Sequence, residues 1–187
     1  MLIYENLVNA LIAELEGALR SVDPAQIDAL RSAILKAPRI FIAGKGRSGL
    51  QMRGFAMRLM HLGLTAHVVD DVTTPGLSAD DLLIIGSGSG KTASLVEYAK
   101  RAKVIQAKVG LITIAPSSPV ADNADYVVRI SAPTPKLEGS DAKRSIQPMG
   151  NLFEQSLGLL LDMITIQMMD ELKLTSDQMF KRHANLE

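Results

Sequence analysis

The 187-residue sequence contains no cysteine, which excludes disulfides and thiolate metal sites and leaves an oxidising compartment unnecessary. Tryptophan is missing too, and four Phe with three Tyr leave few rings on which bases or sugars can stack. Neither sign of charge dominates. Twenty Lys plus Arg balance twenty Asp plus Glu, which removes the basic excess of a nucleic-acid binder or of a protein held on an anionic membrane. Any anionic ligand must then be met by a local arrangement of groups. Long hydrophobic runs are lacking as well: the nearest, residues 152–169, is interrupted by Glu154, Gln155, Asp162 and Gln167, short of the roughly 18 apolar residues of a membrane span. The opening Met1-Leu2-Ile3-Tyr4-Glu5 has neither the basic start nor the apolar stretch of a signal peptide. The expectation is a soluble, cytoplasmic protein with no nucleic-acid and no membrane partner.

What is present is enough apolar side chain, 47% of residues, to bury a sizeable core, and the length suits a single domain over 1–187. Ile3, Leu7, Leu11, Leu15 and Leu19 stand near helical spacing over residues 2–20, and Asp23-Pro24 opens a second helix as N-cap and first-turn proline. Pro38 ends it, so residues 1–37 form an N-terminal helical section. Residues 39–43 are then a short β-branched and aromatic run stopped by glycine, a buried strand. Residues 66–70, 81–85, 109–115 and 125–130 repeat the pattern with helical segments between most of them, which predicts an α/β fold with a five-stranded parallel sheet in residues 38–147. Residues 131–147 are polar and contain Pro and Gly, as expected of a mobile loop near a site. From 148 to about 171 runs the longest helix, apolar around most of its circumference, with Gln155, Gly158, Asp162 and Thr165 in a polar stripe. A second apolar face in so small a domain is most simply covered by another subunit, so a homo-oligomer is expected.

Two glycine loops carry the chemistry. Gly44-Lys45-Gly46-Arg47-Ser48-Gly49 fits G-x-G-x-x-G between the first strand and a helix over 50–61, and the acidic Asp70-Asp71 ends the second strand about 21 residues later. A dinucleotide site and a plain tight turn are both compatible with that spacing. The third strand runs into Gly86-Ser87-Gly88-Ser89-Gly90-Lys91-Thr92, followed by a helix to about residue 107. A nucleotide P-loop would need glycine at position 85, where Ile85 stands. What remains is a run of small residues at a helix N-terminus, where free N–H groups and the helix dipole favour a phosphate-sized anion, with Ser87, Ser89 and Thr92 adding hydroxyl donors. Two such loops at the carboxyl ends of parallel strands frame a crevice for a phosphorylated small molecule.

This pairing of loops is similar to the sugar isomerase (SIS) domain. With Met57-Arg58-Leu59-Met60-His61-Leu62-Gly63, Thr73-Thr74-Pro75, Pro148-Met149-Gly150-Asn151-Leu152-Phe153-Glu154-Gln155 and Arg182-His183-Ala184-Asn185-Leu186-Glu187, essentially the whole chain resembles the 6-phospho-3-hexuloisomerase family. The resemblance implies a three-layer domain with extra N-terminal helices and a long C-terminal helix. It also implies interconversion of D-arabino-hex-3-ulose 6-phosphate and D-fructose 6-phosphate in the ribulose monophosphate pathway of formaldehyde fixation, no metal or organic cofactor, and a tetramer. An arabinose 5-phosphate type of isomerase and a non-catalytic sugar-phosphate-binding SIS module are the alternatives. One departure concerns Lys91, where the family's loop has glutamate, a reversal of charge beside the phosphate.

Moving a ketose carbonyl from C3 to C2 requires a base that takes a proton from one carbon and returns it to the next through an enediol. A carboxylate in an otherwise apolar helix suits this, and the resemblance points to Glu154; its spacing from Asn151 is equally that of a capping box. The resemblance makes His183 a second catalytic residue, acting in its own site or, through the tail, in a neighbouring subunit's; without the resemblance it is a surface histidine. His61 sits at a helix C-terminus, suited either to a cationic ring on the dipole or to substrate. Gly46, Arg47 and Ser48 in the first loop and Ser87, Gly88, Ser89, Gly90, Lys91 and Thr92 in the second complete the expected substrate contacts, Arg47 having Asp70 or Asp71 as alternative partners. Met52, Met57 and Met60 read as an adaptable core.

Overall fold

The computed structural model describes residues 3–133 and 145–186. Leu and Ile fill the middle strands because both faces of the sheet are covered, as parallel strands require. In chain order the elements are α1 (Tyr4–Arg20), α2 (Pro24–Lys36), β1 (Ile40–Gly44), α3 (Gly46–His61), β2 (Ala66–Val68) and β3 (Leu82–Gly86). There follow α4 (Ala93–Ile105), β4 (Lys108–Thr113), a 3-10 turn (Ala121–Asn123), β5 (Tyr126–Arg129), α5 (Asn151–Glu171) and α6 (Ser176–Phe180). The five strands are all parallel, in the order β2-β1-β3-β4-β5. Alternate residues divide between two cores: Ile40, Ile42, Leu82, Ile84 and Ile112 face α2, α3 and α5, while Phe41, Ala43, Leu83, Ile85 and Leu111 face α4. This is the three-layer α/β architecture expected.

Local chemistry explains most boundaries. Asp23 caps α2, its carboxylate accepting the Ala25 N–H at 2.9 Å, with Pro24 in the first turn. β2 is shorter than expected because it is an edge strand: Val69 still donates to the Ile42 carbonyl at 2.9 Å, but at Asp70 the chain turns away with φ +79. α3 begins at Gly46, so the second half of the first glycine motif is a helical turn, not a loop. α5 begins at Asn151, and of the loop expected over 131–147, residues 134–144 lie outside the described residues. The polar stripe on α5 is not one solvent face. Thr165 is buried with its hydroxyl donated to the Leu161 carbonyl, and an added Cβ on Gly158 would lie 2.4 Å from Gln51 of α3. Leu159, Met163 and Ile166, spaced along one side of α5, are exposed instead. Of the three methionines expected in the core, Met52 is buried, whereas Met57 and Met60 are exposed. Among the described residues, no helix is long and apolar enough to cross a membrane.

Candidate active site

The strand order reverses between β1 and β3, because the chain leaves β1 for β2 on one side and returns to β3 on the other. In an open parallel sheet that switch point leaves a crevice beyond the carboxyl ends of the two strands. Both strands end in glycine there, Gly44 beside Gly86 in register. Side chains at these positions would collide with α3: a Cβ on Gly86 would lie 2.5 Å from Met52 Sδ, and one on Gly44 2.9 Å from the Gly49 Cα. The crevice is a cleft of about 460 Å³. Gly46, Arg47 and Ser48 form one wall, Ser87, Gly88, Ser89 and Thr92 another, and Met149, Gly150, Asn151, Phe153 and Glu154 the third.

Each wall is the start of a helix. The N-caps of α3, α4 and α5 are Lys45, Thr92 and Gly150, and none of the three makes a side-chain capping bond. The first N–H groups of a helix lack intrahelical partners, so three positive helix ends converge on one cleft. The serine loop is held by its own hydrogen bonds and by those to β4 and the turn after it. Ser87 Oγ accepts the Gly90 N–H at 3.2 Å, Ser89 Oγ accepts the Lys91 N–H at 3.3 Å, and the Gly88 carbonyl accepts from Ile114 N–H and Thr113 Oγ1, each at 3.1 Å. Gly90 adopts φ +61, and a Cβ there would lie 2.1 Å from Ser118 Oγ, so only glycine fits without a shift.

Glu154 enters the cleft from the first turn of α5. Its side chain is 20% exposed, and the Arg47 guanidinium stands 3.3 Å from its carboxylate while also donating to Asn151 Oδ1. The capping-box alternative is therefore overturned: the N-cap is Gly150, Asn151 is already helical, and its side chain is engaged by Arg47. Nor does Arg47 pair with the acidic residues after β2. Asp70 takes Lys45 and Tyr98, and Asp71 takes Arg53 at 2.7 Å, so the carboxylate that a dinucleotide ribose would need is committed to protein groups.

Four expected site residues do not line the cleft. Gly90 packs against Ser118 instead of facing it. Lys91 is exposed and does not line the cleft. His61 and His183 stack on each other at 5.5 Å between ring centres, with Phe180 stacked beyond His183 at 5.4 Å. They line a second cavity of about 430 Å³ with Arg58, Asp162, Thr165 and Ile166. His61 is 4% exposed, and burial, then the nearby charges of Arg58 and His183, hold its ring below the usual histidine range. It is not a cation on the helix dipole. The segment around His183 is anchored by a capping box in α6, where Thr175 and Gln178 exchange hydrogen bonds, and by Arg182, which donates to the His61 carbonyl at 3.1 Å.

Other residues at the site carry no sequence signal of their own. Lys45 lines the cleft, and Phe153 closes over Gly88, where an added Cβ would touch its ring at 3.2 Å. Glu14 of α1 receives the Ser145 hydroxyl and the Ile146 N–H at 2.8 Å and the Gln147 amide at 3.0 Å, fixing the chain just before the Met149–Asn151 wall. Burial pulls the Glu14 carboxyl upward, but these three hydrogen bonds outweigh it and hold it below the ordinary glutamate range. Among the described residues, no three His, Asp or Glu side chains converge so as to hold a metal ion.

The chain is similar to known proteins in sequence and in fold. The SIS domain family matches residues 33–156. The 3-hexulose-6-phosphate isomerase of Bacillus subtilis is 43% identical over 180 residues, 96% of this chain and 97% of the relative. Its counterpart in Mycobacterium gastri is 43% identical over 174 residues, 93% of this chain and 86% of the relative. Among solved structures, a Methanococcus jannaschii protein inferred to be a 3-hexulose-6-phosphate isomerase superposes with a TM-score of 0.84 at 34% identity, covering 96% of this chain and 98% of that one.

Proposed function

The chain belongs to the SIS domain family, among the 3-hexulose-6-phosphate isomerases, and from that membership we propose that it interconverts D-arabino-hex-3-ulose 6-phosphate and D-fructose 6-phosphate. The observation that supports it best is the meeting of Glu154 with both glycine loops in one cleft. The phosphoryl group sits against the serine loop and the start of α4, where backbone N–H groups and the hydroxyls of Ser87, Ser89 and Thr92 receive it. Ser48 and the N–H groups after Gly46 bind from the opposite wall.

With the phosphate anchored, the sugar chain extends toward Glu154. Its carboxylate takes the proton from C2 of the 3-ketose, the electrons of that C–H bond form the C2–C3 double bond, and the C3 carbonyl oxygen becomes an enediolate oxygen. Returning the proton to C3 while the O2 proton passes to O3 leaves the carbonyl at C2. The atoms balance within one molecule, with no net oxidation. Arg47, within reach of that carboxylate, is placed to stabilise the enediolate oxygens.

His183 serves as the acid at those oxygens only if it comes from a neighbouring copy, since its own cavity is separate from the cleft. A tetramer built through the exposed apolar sides of α3 (Leu50, Met57, Met60) and α5 (Leu159, Met163, Ile166) supplies that neighbour and covers those side chains. Its setting in the cell is formaldehyde fixation by the ribulose monophosphate pathway, in the cytoplasm. The test is conversion of freshly made hex-3-ulose 6-phosphate to fructose 6-phosphate by the purified chain beside a folded Glu154→Gln variant. Turnover by the parent alone supports both the activity and its base; absence of turnover in the parent removes the activity.

A further inference from the structure

Lys45 stands at the seam between two cavities. Its side chain lines the substrate cleft and also a smaller cavity of about 210 Å³ over the carboxyl ends of β1 and β2. Its Nζ donates to Asp70 Oδ2 at 2.5 Å and lies 5.7 Å from the centre of the Tyr98 ring. Asp70 also accepts the Tyr98 hydroxyl at 2.6 Å. These two donors hold the Asp70 carboxyl below its ordinary range, and Asp70 in turn holds Lys45 above its own, so the pair is charged at neutral pH. The backbone of Asp70 sits at φ +79, a left-handed conformation that costs a non-glycine residue about 1–2 kcal/mol and persists where the surroundings hold it. Lys45, Asp70 and Tyr98 thereby tie the loop after β1, the turn after β2 and helix α4 together behind the cleft.

The charge within the cleft shows what this arrangement is for. Among the described residues that line it, the charged side chains are Lys45, Arg47 and Glu154. Arg47 faces Glu154, and the two charges offset each other. A phosphoryl group carrying roughly −1.5 to −2 at neutral pH therefore meets one lining cation not matched within the cleft, and that is Lys45. The Lys45 side chain is 43% exposed on a flexible four-carbon stem, so its ammonium can swing toward the cleft without backbone movement.

We propose that Lys45 is a substrate-binding cation whose ammonium is shared between Asp70 and the phosphoryl group of the bound phosphosugar, Asp70 setting how much of that charge the substrate receives. This rests on the phosphosugar isomerase function proposed above. It makes a prediction of opposite sign for the two partners of one ion pair. Removing the cation weakens binding, whereas neutralising its carboxylate rival strengthens it; a pair that only braces the fold weakens binding in both cases.

The measurement is titration calorimetry of fructose 6-phosphate, and of inorganic phosphate, into the full chain, its Lys45→Met and Asp70→Asn variants and the double variant, with KM and kcat beside each. Lys45→Met is expected to raise the fructose 6-phosphate Kd about 5- to 10-fold, with a KM rise exceeding any fall in kcat. Asp70→Asn is expected to lower Kd about 2- to 5-fold, and that gain is expected to vanish in the double variant. Unchanged binding in Lys45→Met, or weaker or unchanged binding in Asp70→Asn, overturns the proposal while parent turnover leaves the isomerase standing. A parent that binds no fructose 6-phosphate overturns both. Should Lys45→Met fail to fold, the sign of the Asp70→Asn effect decides alone.

Discussion

Two cavities of nearly equal size, about 460 Å³ beyond β1 and β3 and about 430 Å³ beside α5 and α6, are built from opposite materials. The first is made of glycines, hydroxyls and helix starts, so its polar groups are backbone dipoles fixed by the sheet and cost no reorganisation when an anion arrives. The second is made of long side chains, His61, His183, Phe180 and Arg58, beside exposed apolar residues such as Ile166. A rigid polar cradle suits a small charged ligand, whereas a side-chain cavity with an apolar margin suits another protein surface. In the reaction proposed above, the two are halves of one site contributed by different copies.

The sharpest way to break that comparison is to disable each half separately. Glu154→Gln acts only in the cleft and is expected to lower kcat about 10²- to 10⁴-fold with little change in fructose 6-phosphate binding, read by steady-state kinetics and calorimetry. His183→Ala acts only in the second cavity and is expected to cost about 10²-fold in kcat by the same assay. Mixing the two inactive variants under conditions that exchange subunits should restore a fraction of the activity, since some sites then pair an intact Glu154 with an intact His183. A fully active monomer, or no recovery on mixing, sinks the shared site.

A smaller effect tests the rigidity of the cradle. Gly90→Ala places a methyl where Ser118 Oγ stands and forces a left-handed backbone, so unfolding stability should fall by about 1–3 kcal/mol in urea titration. Fructose 6-phosphate binding should weaken along with it. The same substitution at Gly17, with nothing within 4 Å of the added atom and an ordinary helical backbone, should instead leave stability unchanged or slightly raised.

How legible each region was in the sequence follows from what built it. The sheet and the cleft were readable because their determinants are local: apolar runs stopped by glycine, and a serine loop directly before a helix. Asp23-Pro24 likewise announces its own cap. Glu154 was visible as a carboxylate in an apolar helix, but its spacing from Asn151 equally described a cap; the helix start at Asn151 and the tertiary contact with Arg47, more than a hundred residues away, separate the two. The second cavity depends wholly on such contacts. His61 and His183 are separated by most of the chain, and neither the burial of one nor their stacking leaves a local pattern. Glu14 and Lys45 escaped for the same reason, since each gains its role from partners remote in sequence.

The smallest expected effect concerns that second cavity and the pH dependence of folding. His61 is buried with Arg58 Nη1 3.4 Å from its Nδ1 and His183 stacked on its ring, and its proton is held less tightly in the folded chain than at the ordinary value of 6.5. The folded state then binds fewer protons at His61 than the unfolded state, so stability rises with pH across this window. His61 contributes stability that is present above about pH 6.5 and is lost as pH falls through its lowered value, with a slope no steeper than about 1.4 kcal/mol per pH unit for one proton. The carboxylates held below their ordinary values, Glu14, Asp70, Glu97 and Asp125, act in the same direction but only below about pH 4.5, so the two windows separate. Urea unfolding of the parent and of His61→Gln at pH 7.5 and pH 5.5 is the check. The parent should lose more stability between the two than the variant; equal losses would mean that His61 binds its proton as tightly in the folded chain as in the unfolded one.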